Sequence, residues 1–407
     1  MSEGDSRIKR FYIYRAVTSF SMWGPFWTLW ANKNMDDLFL ITVIDMAFWI
    51  TMIVFQIPTG LIGDRYGRKV VLFLGEVLFA IGLLGFGLST TFNQYLISNA
   101  IWALGVCFVV SGDTPYVYDT LVELKREKEF TKIMGYSNAV MFVVNGAAYM
   151  VGGYVAYSLD RLDMTLIVSA GIMLVGLSTI VLLKEPKVER TKFESYTRQF
   201  KEGFTHVVRS RAILILIMFQ ILIQVAVYVM AVFRGIYMGE NLGFDYFQIG
   251  LFYASFSIVG AFVVREASRF EIYAGEKKSL MVMYIAMFVS LGVVFLVRSS
   301  AAIVVQYLIY AVADLQSPIV GGYIHKRVDS AHRSTVAAIS SVMFTAILVT
   351  VEVSAGFVAQ VWSIEGSLLL IALGSLPIAF LLLTSWGRIV DAEYAATKKK
   401  TRTLKEP

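Results

Sequence analysis

Long apolar stretches alternate with short polar ones from one end of the chain to the other. Twelve stretches reach about 20 residues, the length a helix needs to cross the hydrocarbon core of a bilayer. They lie at 11–31, 39–60, 70–90, 94–118, 133–157, 164–183, 211–233, 246–268, 279–297, 300–324, 334–360 and 364–386. Backbone N–H and C=O groups find no partner in lipid, so such stretches are helices or strands of a closed barrel. Barrel strands alternate apolar and polar positions, and Ile213-Leu214-Ile215-Leu216-Ile217-Met218-Phe219 does not alternate. The pattern predicts an all-α integral membrane protein with twelve transmembrane helices.

Composition agrees. Only 16% of residues are charged and mean hydropathy is +0.66, whereas soluble domains carry about 25% charged residues. Of the 36 Lys and Arg, 31 fall in loops on one side of the predicted membrane. Three (Lys33, Arg161, Arg298) fall on the other side, and Arg15 and Arg234 lie inside apolar runs. This bias assigns the basic side to the cytoplasm, and an even number of spans puts both termini there. The expected location is the plasma (inner) membrane. The net charge of +6 is thereby spent on topology and lipid headgroups, which leaves no case for nucleic-acid binding. The first run has no small-residue cleavage site and is expected to be retained. The single cysteine, Cys107, lies in an apolar run and reads as a small core residue.

The longest internal polar stretch, from Lys184-Glu185-Pro186 to about Arg209, separates six runs from six. It divides the chain into an N-terminal bundle (1–183), a connector (184–210), a C-terminal bundle (211–386) and a basic tail (387–407) containing Lys398-Lys399-Lys400.

Between the second and third runs stands Gly60-Leu61-Ile62-Gly63-Asp64-Arg65-Tyr66-Gly67-Arg68-Lys69. Gly60 and Gly63 remove side chains where a helix must lie close to a neighbour. Gly67 suits a tight turn, and Arg65, Arg68 and Lys69 hold that turn at the headgroups. Asp64, one acid among these bases, has no use in topology. These ten residues resemble the signature of the major facilitator superfamily of secondary transporters. Asp119-Thr120-Leu121 with Glu123-Leu124-Lys125-Arg126-Glu127, and Arg333-Ser334-Thr335-Val336, are similar to a poorly characterised bacterial and archaeal branch of it.

The resemblance implies two pseudo-symmetric six-helix halves around a central cavity, alternating access, and a small-molecule substrate. It also implies that Asp64 meets the N-terminus of the eleventh run, at Arg333-Ser334-Thr335, as a latch when the cavity is closed to the cytoplasm. A helix N-terminus favours an anion. The matching second-half region, Arg265–Lys278 with Arg269, Gly275, Lys277 and Lys278, lacks the Gly-x-x-x-Asp-Arg pattern and reads as a degenerate copy. Two signatures are missing. Ile101 stands where proton-linked members often carry Arg, and Ala148-Tyr149 stands where drug antiporters often carry Gly-Pro.

In this superfamily the first, fourth, seventh and tenth spans line the cavity. Their polar residues fall on shared helical faces: Arg15, Ser19, Trp23, Trp27 and Trp30; Asp113, Tyr116 and Thr120, with Asp119 one step round; Gln220, Gln224 and Tyr228; Tyr307, Tyr310, Asp314, Ser317 and Gly321. Asn138 and Asn145 share a face of the fifth. Substrate-cavity candidates are therefore Arg15, Trp23, Trp27, Tyr116, Asp119, Asn138, Asn145, Gln220, Gln224, Tyr228 and Tyr310, with an Arg15–Asp119 ion pair as the blander reading of those two. Ionisable groups at membrane depth usually face a cavity or a partner, so Asp113, with Asp314 or Glu352 as second acid, is the proton-coupling candidate. Glu76 and Asp45 are left without an assigned depth. His206, His325 and His332 all fall in loops on the basic side, which excludes a histidine relay.

There is no Gly-x-x-x-x-Gly-Lys-Ser/Thr loop and no intramembrane triad or metal-ligand cluster. No enzyme activity, metal or cofactor is expected. The expected function is proton-coupled efflux of amphipathic or cationic compounds by a monomer, suited to the aromatic stripe through apolar and cation–π contact. The alternatives are import of a small anionic metabolite grasped by Arg15 or Arg234, and a receptor that binds without transporting.

Overall fold

The computed structural model describes residues 3–187, 210–297, 299–329 and 333–403, apart from the side chains of residues 3, 261, 334 and 396–403. Most of the connector, His206, His332, Arg298 and the side chains of Ser334 and Lys398-Lys399-Lys400 lie outside the described residues. Among the described residues every regular element is helical. In chain order they are α1 (Glu3–Thr18), α2 (Trp27–Met35), α3 (Leu38–Tyr66), α4 (Arg68–Leu88), α5 (Phe92–Glu123), α6 (Phe130–Leu159), α7 (Asp163–Val181), α8 (Arg211–Ile236), α9 (Tyr246–Leu296), α10 (Ala302–Arg327), α11 (Arg333–Val361) and α12 (Ile364–Thr403).

Ten of these, α3 to α12, are long and apolar enough to cross a membrane. The twelve predicted runs all carry helix, and two local features explain why they fall into ten long elements. The first run is broken between α1 and α2, where Pro25 has no N–H to donate and disfavours a helical Gly24 before it. The amides of Phe26 and Trp27 both return to the Trp23 carbonyl, at 2.9 and 3.1 Å. The eighth and ninth runs are joined in α9, a 51-residue stretch interrupted at Gly275, whose φ of 70° and ψ of 168° are not helical. Gly67 plays the matching part between α3 and α4, with φ of 113°. A side chain is strained at either backbone position.

By contact the chain divides into two compact units, one of residues Met1–Lys192 with Val232–Ala261, the other of Phe193–Ala231 with Phe262–Pro407. The division falls inside α8 and α9. The first unit has a core of Phe11, Tyr14, Leu72, Tyr116, Val117, Leu121, Ile133, Ile180 and Leu183. Cys107 is buried here, as expected.

Helices α4 and α5 approach backbone to backbone through glycine. A Cβ on Gly105 would lie 2.3 Å from the Phe79 amide, one on Gly82 2.3 Å from the Trp102 amide, and one on Gly75 2.7 Å from the Val109 amide. Between membrane helices, where there is no water to drive association, such close contact supplies the attraction. Gly60 behaves otherwise: nothing lies within 4 Å of a Cβ placed on it. At Gly63 a Cβ would sit 3.1 Å from Arg68 Nη1.

These contacts predict unequal costs. Gly105→Val should destabilise the detergent-solubilised protein by about 3 kcal/mol or more. Gly60→Ala should be neutral or stabilising by up to about 1 kcal/mol. Thermal unfolding of both variants checks the contrast.

Candidate functional site

The turn from α3 to α4 is built from charges on four segments. Arg68 bonds Asp64 one helical turn earlier (2.7 Å) and, through Nε, Asp119 near the end of α5 (2.9 Å). Glu185, just past α7, accepts the backbone amides of Arg68 and Lys69, each at 2.7 Å. Its carboxylate thus takes two of the orphan N–H groups at the α4 N-terminus, where the helix dipole favours an anion. Lys69 Nζ donates to the carbonyls of Val181 and Leu183. Arg65 is exposed, its guanidinium 5.2 Å from the Tyr66 ring centre. Glu185 had been read only as connector charge.

The second unit contains a matching turn with its charges inverted. Gly275-Glu276-Lys277 stands where Gly67-Arg68-Lys69 stands in the first. Arg327 at the end of α10 bonds Glu276 (2.9 Å) and Glu393 of α12 (2.6 Å), and its guanidinium lies 4.7 Å from the Trp386 ring centre. Lys277 pairs with Asp391. Ile272 and Tyr273 stand where Asp64 and Arg65 stand in the first turn. One acid–base contact survives with cation and anion exchanged, Glu276 to Arg327, which a search for the same letters cannot find.

Deeper in the first unit, Arg15 of α1 bonds Asp113 of α5 at 2.6 Å, with side-chain exposures of 14% and 10%. One residue earlier, the Tyr14 hydroxyl donates to Glu76 Oε1 of α4 at 2.9 Å. Glu76 is within electrostatic reach of both Asp113 and Arg15. Each acid follows a glycine that admits a neighbour: Gly75 the α5 backbone, and Gly112 the Leu72 side chain, 2.9 Å from where its Cβ would be. Glu76 Oε2, Asp113 Oδ1 and Arg15 Nε are buried without a hydrogen-bond partner among the described residues. Asp113 thus takes the guanidinium, and Glu76 is held by the neighbouring Tyr14 hydroxyl. The expected Arg15–Asp119 pair does not form, because Arg68 takes Asp119. Glu76 was underweighted in sequence, although a lone acid in Leu72-Phe73-Leu74-Gly75-Glu76-Val77-Leu78 carries the same signal as Asp113.

The other candidates separate. Trp23 sits in the break between α1 and α2, so the single helical stripe through Arg15, Trp23 and Trp27 is not continuous. Both tryptophans nevertheless pack on Trp102, with ring centres 4.4 and 6.3 Å away, and Phe79 and Phe86 extend this cluster. Tyr116 is 1% exposed, stacked on Phe11, its hydroxyl donating to the Lys184 carbonyl. It is a core residue. Asn138 is exposed and Asn145 half-buried on α6.

In the second unit Gln220, Gln224, Tyr310 and Asp314 are half-buried and Glu352 is fully buried. Tyr228 stands 5.4 Å from the Phe344 ring. The Gln220 carbonyl, rather than its side chain, accepts from Gln316 Nε2 at 2.6 Å.

At the end of the first unit away from the basic loops, residues 232–261 engage α2 and α6. Asn32 Nδ2 donates to both carboxylate oxygens of Glu240 (2.8 and 2.9 Å), which lies in a π-helical turn at Tyr237–Asn241. A Cβ on Gly250 would fall 2.4 Å from the Tyr149 carbonyl. Arg234 is buried over the rings of Tyr253 and Phe256, 5.6 and 5.9 Å from their centres. In the polar turn between α5 and α6, hydrogen bonds to Glu129 and then Asp5 raise the Arg126 guanidinium further above its ordinary range.

The Major Facilitator Superfamily model matches residues 15–315. Multidrug resistance protein 1 of Bacillus subtilis (strain 168) is 25% identical over 291 residues, 69% of this chain and 70% of that protein. Quinolone resistance protein NorA of Staphylococcus aureus (strain Mu50 / ATCC 700699) is 24% identical over 148 residues, 36% of each. The crystal structure of nucleoside transporter NupG superposes with a TM-score of 0.76 at 15% identity, over 93% of this chain and 98% of that one. That likeness is one of fold.

Removing one member of a buried ion pair costs about 3–5 kcal/mol, whereas replacing both with apolar groups costs far less. Arg15→Leu should therefore lower the unfolding midpoint sharply, and Arg15→Leu with Asp113→Leu should recover most of the loss. Thermal unfolding in one detergent checks the reversal.

Proposed function

Because the chain belongs to the major facilitator superfamily, and is therefore a multi-pass membrane transporter and not an enzyme, we propose that it exports amphipathic or cationic organic molecules in exchange for protons. The observation that carries the coupling is the charge imbalance around Arg15. Asp113 takes this cation and Glu76 is bonded to the Tyr14 hydroxyl, and a second buried carboxylate without a countercharge is costly. One of the two acids is neutralised by a proton whenever both are enclosed, and the proton leaves when the site opens to water. Asp314 and Glu352 are the second unit's candidates for the same work.

Export is supported by the names of the relatives, a multidrug resistance protein and a quinolone resistance protein. The aromatic cluster of Trp23, Trp27 and Trp102 suits lipophilic and cationic substrates. The rival reading, import of a small anion, needs Arg15 or Arg234 to hold the substrate. Arg15 already opposes Asp113, and Arg234 lies over two aromatic rings. The excess of Lys and Arg on one side supports a plasma-membrane protein with both termini cytoplasmic. Halves of residues 1–183 and 211–386 would alternate access as a monomer, with Asp64 exchanging its Arg68 partner for the α11 N-terminus as a latch.

In everted vesicles with an acid interior, the protein should accumulate a fluorescent lipophilic cation, and a proton ionophore should abolish accumulation. Asp113→Asn and Glu76→Gln should each reduce it to the level of vesicles lacking the protein. Undiminished proton-driven accumulation in the doubly neutralised variant would sink the coupling. Accumulation only in right-side-out vesicles would reverse the direction.

Asp64→Asn should keep substrate binding and slow counterflow in proteoliposomes. Unchanged exchange would remove the latch.

A further inference from the structure

We propose that a slot in the second unit, between α8, α11 and α12, holds one phospholipid acyl chain as a standing part of the protein. The slot has a volume of about 430 Å³ and aliphatic walls, among them Met218, Leu222, Ile347, Val358, Ile371 and Ile378. Four hydroxyls also line it, and each is spent on a backbone carbonyl. Thr350 donates to Ala346, Ser354 to Thr350, Ser367 to Ala355 and Ser375 to Ala372, at 2.7 to 2.9 Å. No charged residue lines it. The wall therefore offers nothing to an amine, a carboxylate or a phosphate, and its guest is hydrocarbon.

Shape narrows the guest further. The lining runs from Ile347 to Val358 on α11 and from Ser367 to Ile378 on α12, about 16 Å along each helix at 1.5 Å per residue. A slot that follows both helices over that length suits an extended hydrocarbon chain. The rim residues Thr350, Ser354, Leu370, Gly374 and Ile378 are exposed. On α12 they continue into exposed Leu373, Leu376, Phe380 and Leu381, a face that meets lipid in a membrane-spanning helix. The slot thus opens sideways to bilayer hydrocarbon, and the guest comes from there.

The first unit supplies the comparison. Its helices in the same order, the first, fifth and sixth runs, close on one another. The Met22 carbonyl lies 2.9 Å from a Cβ on Gly152, Thr18 lies 2.9 Å from one on Gly176, and the Met22 amide donates to Ser169. Where the second unit leaves the corresponding space open, an empty slot would forfeit contacts along its whole wall. Apolar voids stay dry and take apolar guests.

The test uses the full chain in nanodiscs of phosphatidylethanolamine and phosphatidylglycerol, doped with a phosphatidylcholine carrying a diazirine at mid-chain. After photolysis, digestion and mass spectrometry, label should concentrate on α11 and α12 within 347–378 and saturate at a single lipid. Gly374 has nothing within 4 Å of its Cβ position, so Gly374→Phe grows into the slot. Loss of even two buried methylenes is worth about a tenfold drop in occupancy. Gly374→Phe should lose label by that factor with its unfolding midpoint kept, while Gly374→Ala labels like the parent. Ser354→Leu serves as second filler if Gly374→Phe does not fold. Equal labelling of the folded filler variant, or label spread evenly over exposed faces such as that of α3, overturns the proposal. So does competitive removal by a transported lipophilic cation, which would make the slot a substrate subsite.

Discussion

A charge in hydrocarbon persists only opposite another charge, and this requirement ties distant parts of the chain together. Arg15 joins α1 to α5, and Tyr14 joins α1 to α4. Arg68 and Glu185 gather the ends of α3, α4, α5 and α7. Arg327 gathers α9, α10 and α12. Gly75 and Gly112 stand immediately before the two buried acids and admit the opposing helix there. Glycine contact thus sets the α4–α5 seam, and both acids that answer α1 stand on that seam.

Much of the fold was legible because the membrane leaves few solutions. Twelve apolar runs, no alternation and a one-sided basic bias dictate a helical polytopic chain. What periodicity could not show was where helices stop inside apolar sequence or continue through polar sequence. The Gly24-Pro25 break is invisible to a hydropathy window because its neighbours are Trp23 and Phe26. The continuation of α12 through Arg388, Asp391 and Glu393 to Thr403 is hidden because polar residues serve as well in a helix beyond the membrane as in a loop. Gly67 and Gly275 mark the two equivalent turns, and both were visible as letters.

The site was harder to read than the scaffold, because sequence shows which residues carry charge and not which partner each one takes. Arg15 had two acids of α5 to choose from, Asp113 and Asp119, six residues apart. The choice of Asp113 over Asp119 depends on Arg68 arriving from another helix to occupy Asp119. Tyr116 looked like a cavity residue for the same reason, since its helical face is right and only its stacking on Phe11 reveals that the face is already covered. Glu76 has no depth that sequence can assign, and the third span is not among the expected cavity helices. Its neighbours in space, Tyr14 and Arg15, come from one that is.

The inverted turns bear on how the two halves share a history. Arg68 faces acids across the first turn, and Glu276 faces Arg327 across the second. If one turn were copied onto the other, Arg68 chemistry would confront Arg327, or Glu276 chemistry would confront Asp119, and like charges would meet at a packed helix end. A single exchange is therefore penalised, and only a paired exchange restores the contact. Although the halves share an architecture, their parts are no longer interchangeable. Transplanting one turn into the other half therefore requires its partners to be transplanted with it.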